Sequence, residues 1–179
     1  RALPCAGASR ARPMITEVAF AAAGVWGLRA LAHRAIVLGL RAPRLRHDQK
    51  PVDPAVAPEA INEVCINGPR ARRLFGWLVM PALPHLQPAP AVLVMHGWGA
   101  NAATMWPVVA PLHAAGFAVL LMDARCHGRS DGEAFTSMPR FAEDIAAGLA
   151  WLRTRSGIDG NRLVLLGHSV GAGATLLHA

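Results

Sequence analysis

The hydrophobic pattern changes character twice along the chain. Residues 14–40 (MITEVAFAAAGVWGLRALAHRAIVLGL) are helix-prone and apolar, and their longest stretch free of charge and histidine is Val18–Leu28. That stretch is shorter than the roughly 18–20 residues that span a bilayer, unless Arg29, His33 and Arg34 are tolerated by snorkelling. Residues 48–60 (DQKPVDPAVAPEA) have the composition of a Pro-rich linker. Ile61–Asn67 and Arg73–Met80 then read as two strands around a turn at Gly68-Pro69, an antiparallel hairpin, with a loop over Pro81–Pro90. Beyond it the apolar runs become continuous: Ala91–Met95, Phe117–Met122 and Arg162–Leu166. Between them lie helical patterns at Ala102–Ala115, closed by Gly116, and at Pro139–Arg155. Strands apolar on both sides and separated by helices predict an α/β fold, a mostly parallel sheet with helices on both faces. The organisation expected is therefore an N-terminal basic and apolar segment (1–47) with its helix at 14–40, a linker (48–60) and an α/β domain (61–179).

Charge sharpens this division. The net charge is +7, and residues 1–50 hold nine Arg/Lys against Glu17 and Asp48, whereas residues 51–179 hold nine Arg against nine acids. A neutral domain behind a basic, apolar leader points to membrane association rather than nucleic acid, for which no zinc-finger, helix-turn-helix or RNA-binding signature exists. The helix at 14–40 reads as a membrane-anchoring or interfacial element, with a helix packed on the domain as the alternative. Arg41, Arg44, Arg46 and Lys50 would keep the following domain on the cytoplasmic side, and a purely cytoplasmic protein is the other reading. A signal peptide fits poorly, because the basic residues lie within and after the apolar run. Residues 1–13 lack periodicity, and Met14 is a candidate natural start. Cys5, Cys65 and Cys126 are odd in number and widely spaced, which speaks against a disulfide framework or structural zinc.

The candidate chemistry lies where the apolar strands end. Gly167-His168-Ser169-Val170-Gly171 matches G-x-S-x-G, follows the strand RLVLL and opens a helix of small residues. A nucleophile on so tight a turn crowds the positions two before and two after it, so Gly167 and Gly171 must be small. The helix N-terminus favours negative charge, and the Val170 N–H is placed to donate to an oxyanion. His96-Gly97-Trp98-Gly99 follows the first strand of the parallel part. Its glycines allow close backbone approach, and the Trp98 N–H is the second candidate donor. His96 reads as a hydrogen-bonded loop histidine. Asp123-Ala124-Arg125-Cys126-His127-Gly128-Arg129-Ser130-Asp131-Gly132 follows the next strand. A metal site from His96, His127 and His168 has no supporting carboxylate or cysteine spacing, and no cofactor is called for.

The order HGWG, D-x-R-x-HGRSDG, GHSVG resembles the α/β-hydrolase superfamily, nearest its serine aminopeptidase, lysophospholipase and monoacylglycerol-lipase-like branch, over about Ile61–Ala179. The resemblance implies an eight-stranded, mostly parallel sheet, a triad in the order Ser, acid, His, and hydrolysis of an ester, thioester or amide through an acyl-enzyme on Ser169. It implies that Asp123 and His127 shape a loop, Asp123 by capping the turn, and that glycine often stands where this chain has Cys126. Relatives with an aspartate or cysteine nucleophile are disfavoured by Ser169.

The triad acid and histidine are expected downstream of Ala179. Asp159 and His178 are poorly placed to serve, so the chain reads as an N-terminal fragment, inactive and poorly soluble by itself. A non-catalytic, membrane-anchored binding protein on the same fold is the alternative. Neither the acyl substrate nor the oligomeric state is legible.

Overall fold

The computed structural model describes residues 11–47, 49–81 and 88–179, with side chains described from Thr16 onward. The aperiodic segment 1–10 and most of the loop read at 81–90 lie outside the described residues. The chain divides after Gly39 into two compact units. The first contains helix α1, Ala11–Gly39. Its large side chains Val18, Phe20, Val25, Trp26, Leu28, Leu31, Ile36 and Leu38 are all exposed. Among the described residues, no helix is long and apolar enough to cross a membrane.

The second unit is built on five strands: β1 (Ile61–Asn67), β2 (Arg73–Val79), β3 (Ala89–Met95), β4 (Ala118–Met122) and β5 (Ile158–Gly167). Their order across the sheet is β1-β2-β4-β3-β5. β1 and β2 form the expected antiparallel hairpin, in register from Ile61 opposite Val79 to Asn67 opposite Arg73. β2 joins β4 antiparallel, while β4, β3 and β5 run parallel. The sheet is thus mixed at one side and parallel at the other, where the continuous apolar runs predict it.

Side-chain alternation assigns each strand residue to a layer. Ala91, Leu93 and Met95 of β3, with Ala118, Leu120 and Met122 of β4, pack with Phe141, Ile145, Leu149 and Leu152 of helix α3 (Met138–Arg153). Val92, Val94, Val119 and Leu121 point the other way, onto Met105 and Val109. Helix α4 (Val170–His178) joins the first layer through Ala174.

The helical pattern at Ala102–Ala115 is met differently. A 3-10 helix spans Ala102–Val108, and α2 proper is only Val109–Ala114. Pro107 has no N–H to donate and stiffens the chain, so the first half takes the tighter turn. Gly116 sits just beyond α2 with φ 86°, the left-handed geometry that ends a helix. Residues 40–47, and the described part of the Pro-rich segment 48–60 expected as a linker, lie within the second unit. Asn101 donates to the Leu45 carbonyl at 2.9 Å, and the Trp106 indole donates to Asp53 at 2.9 Å.

Candidate active site

The parallel strands β3, β4 and β5 all end at the same side of the sheet, and each runs into one of the three motif loops. At the end of β5 the backbone turns through Ser169, which has φ 54° and ψ −120°, and α4 begins at the next residue. A non-glycine residue held at positive φ is strained, and a corner between strand and helix is where such strain serves function. The glycines are required sterically. A Cβ on Gly167 would fall 2.5 Å from the Gly171 carbonyl and the Ala172 nitrogen. One on Gly171 would fall 2.5 Å from the carbonyl oxygens of Met95 and His96. Ser169 is exposed above the sheet, and its hydroxyl has no hydrogen-bond partner among the described residues.

The loop after β3 meets this corner. His168 donates its backbone N–H to the Met95 carbonyl at 3.0 Å. A Cβ built on Gly97 would lie 3.2 Å from the Ser169 Cβ, so the HGWG backbone passes directly beside the serine. As the first residue of α4, Val170 has no partner for its N–H within the helix, and the Trp98 N–H donates to no described group. The structure therefore brings Gly97, Trp98, Ser169 and Val170 into one neighbourhood, with Gly167 and Gly171 beneath it.

The two histidines of the first two motifs act as loop ties. The buried His96 donates from Nδ1 to the Gly97 carbonyl at 2.7 Å, and its Nε2 accepts from the Ala124 N–H at 3.0 Å. His127 donates from Nδ1 to the Arg125 carbonyl at 3.0 Å and accepts at Nε2 from the Gly99 N–H at 3.1 Å. Each ring is thereby held in the neutral Nδ1–H form. Burial pushes His96 down to about 4 and also lowers His127. The rings lie 4.9 Å apart and both meet Phe141 edge-on. Among the described residues no cluster is arranged to hold a metal ion.

Asp123 organises the loop after β4. It accepts from the Ala102 N–H at 2.6 Å, the Arg129 N–H at 2.8 Å and His47 Nε2 at 2.8 Å. Burial would raise its carboxyl, but these donors prevail and hold it below the usual range. The Ser130 hydroxyl donates to the Asp123 carbonyl at 2.7 Å and accepts from the Phe75 N–H at 2.8 Å, which ties the loop to β2. Cys126 stands at φ 67°, a position that suits glycine. Its sulfur accepts from the Glu133 N–H at 3.2 Å.

Sequence reasoning missed one buried group. Arg125 Nη2 meets Asp144 Oδ1 at 2.7 Å with both side chains inaccessible, and Arg125 also reaches Glu143 at 2.8 Å. Burial raises the Asp144 carboxyl despite the guanidinium beside it. A signal was present. Asp144 interrupts the α3 stripe Phe141, Ile145, Gly148, Leu149, Leu152, and an acid on a buried stripe demands a partner.

A helix-flanked sheet whose parallel strands end in a strained serine corner and a glycine loop defines the class of α/β-hydrolases. Residues 86–179 match the family model described as Serine aminopeptidase, S33 (Hydrolase_4), and the chain belongs to that family. It is 33% identical over 106 residues to the uncharacterized protein YfhR of Escherichia coli K12, an alignment covering 59% of this chain and 36% of that protein. It is 31% identical over 169 residues to the uncharacterized protein Rv2307c of Mycobacterium tuberculosis H37Rv, covering 91% and 54%. Among solved structures it resembles the Pf2001 esterase of Pyrococcus furiosus, with a TM-score of 0.66 and 26% identity over 77% of this chain and 50% of that one. The chain thus spans about a third to a half of the length of these relatives.

Proposed function

We propose that this chain carries the nucleophile and the oxyanion-binding groups of a serine hydrolase that acts on an acyl carbonyl. The observation that carries the reading is the strained Ser169 corner with the Gly97 backbone beside it. In this reading the Ser169 oxygen attacks the carbonyl carbon of an ester, thioester or amide and gives up its proton to a general base. No described residue is hydrogen-bonded to Ser169 as that base. The carbonyl oxygen takes up negative charge between the N–H groups of Trp98 and Val170, helped by the positive end of α4. The tetrahedral adduct then expels an alcohol, thiol or amine and leaves the acyl group on Ser169. Water releases the acid in a second cycle of the same steps. No cofactor enters this chemistry. Esters are the first class to try, since the Pyrococcus furiosus relative is named an esterase.

The test is fluorophosphonate labelling of the full-length gene product. Covalent labelling of the wild type and its loss in Ser169→Ala are expected. Equal labelling of the two would remove Ser169 from its role.

A further inference from the structure

Helix α1 is unlike every other element of the molecule. Over its 29 residues it exposes eight large apolar side chains, with Phe20 79% and Trp26 74% accessible. Apolar surface on that scale marks a contact with something other than water.

Charge selects the partner. Within α1, Arg29, His33 and Arg34 follow the apolar stretch Val18–Leu28, and Glu17 is the one acid among the helix residues. The whole excess charge of +7 falls in residues 1–50, while the remaining residues balance nine arginines with nine acids. A second copy of α1 would bring like charges together, and an acidic surface would relieve them.

Length selects the mode. The eleven residues Val18–Leu28 extend roughly 16 Å as helix, about half of a 30 Å hydrocarbon core. Polarity changes along α1 rather than around it, with charged groups at both ends of the apolar stretch. The apolar stretch therefore reaches no further than the hydrocarbon of one leaflet, and Glu17, Arg29 and Arg34 reach back to the headgroups.

We propose that α1 docks this protein peripherally on bilayers rich in anionic phospholipid, without crossing them. The reading is independent of the Ser169 chemistry.

The test is vesicle co-sedimentation of the whole chain. Strong binding is expected to vesicles of phosphatidylcholine with a third phosphatidylserine. Binding to pure phosphatidylcholine should be weak, and 1 M salt should abolish most of it by shortening the screening length to about 3 Å. Each arginine neutralised should weaken binding about five-fold, so Arg29→Gln with Arg34→Gln costs about 25-fold. Depth is read separately. Lipids brominated along the acyl chain should quench Trp26, seen as the difference between the wild type and Trp26→Phe, because four other tryptophans are present. Equal binding to neutral and anionic vesicles would overturn the proposal. So would a lipid-independent oligomer in sedimentation velocity that Phe20→Ser with Leu28→Ser disperses, since α1 would then be covered by protein. The Ser169→Ala variant should bind vesicles like the wild type, so failure of the hydrolase reading leaves a different signature.

Discussion

At the scale of single residues, the corner at Ser169 sets side-chain chemistry against backbone comfort. A serine at φ 54° carries roughly 1–3 kcal/mol of strain that glycine would avoid. Ser169→Gly should therefore raise stability by about 1 kcal/mol in a denaturant titration while eliminating fluorophosphonate labelling. A lower midpoint would mean that the hydroxyl holds the corner together instead of straining it. The neighbouring glycines have the opposite sign. Gly171→Ala drives a methyl into the Met95 and His96 carbonyls, 2.5 Å from the new Cβ, and should cost about 1–3 kcal/mol. Both glycines could be assigned from the pentapeptide, but only Gly167 is crowded by the turn itself; Gly171 is crowded by the end of β3. The positive φ of Cys126, 67°, is not announced by cysteine itself; the hint was the glycine that the resemblance places at this position.

At the scale of elements, what holds the loop after β4 against α3 is the buried Arg125–Asp144 pair. Removing Arg125 leaves Asp144 buried without its cation, whereas removing Asp144 leaves Arg125 still facing Glu143 and Glu133. Arg125→Met should cost about 3–5 kcal/mol, whereas Asp144→Ala, and Arg125→Met with Asp144→Leu, should each cost less. A denaturant midpoint for each variant checks the ordering, and equal losses would show that the pair does no more than fill space. Strand positions were legible because an unbroken apolar run such as FAVLL has few ways to be buried. The helix at Ala102–Ala115 was legible only as a helix of some kind, because its pattern does not show how Pro107 shortens the turn. Partners distant in sequence, such as His47 with Asp123 or Phe75 with Ser130, leave no periodic trace at all.

At the scale of the whole molecule, two neutral histidines buried between the loops couple folding to acidity. The unfolded chain protonates His96 near 6.5, and the folded chain resists until about 4. Its contribution is therefore complete above 6.5 and falls away as the pH drops toward 4, by about 3 kcal/mol across that window. His127, also lowered by burial, works in the same direction. Thermal midpoints measured from pH 7 to 4 should fall on this limb, and His96→Gln should flatten it. An unchanged limb would place the acid sensitivity elsewhere.

The parity of β3 has a last consequence. Odd-numbered residues from Ala91 to Met95 line one layer and even-numbered ones the other, and His96 and Gly97 follow without a break. Unless a bulge absorbs it, a codon gained or lost inside this strand would exchange the two linings and turn the glycine loop away from the serine in the same event.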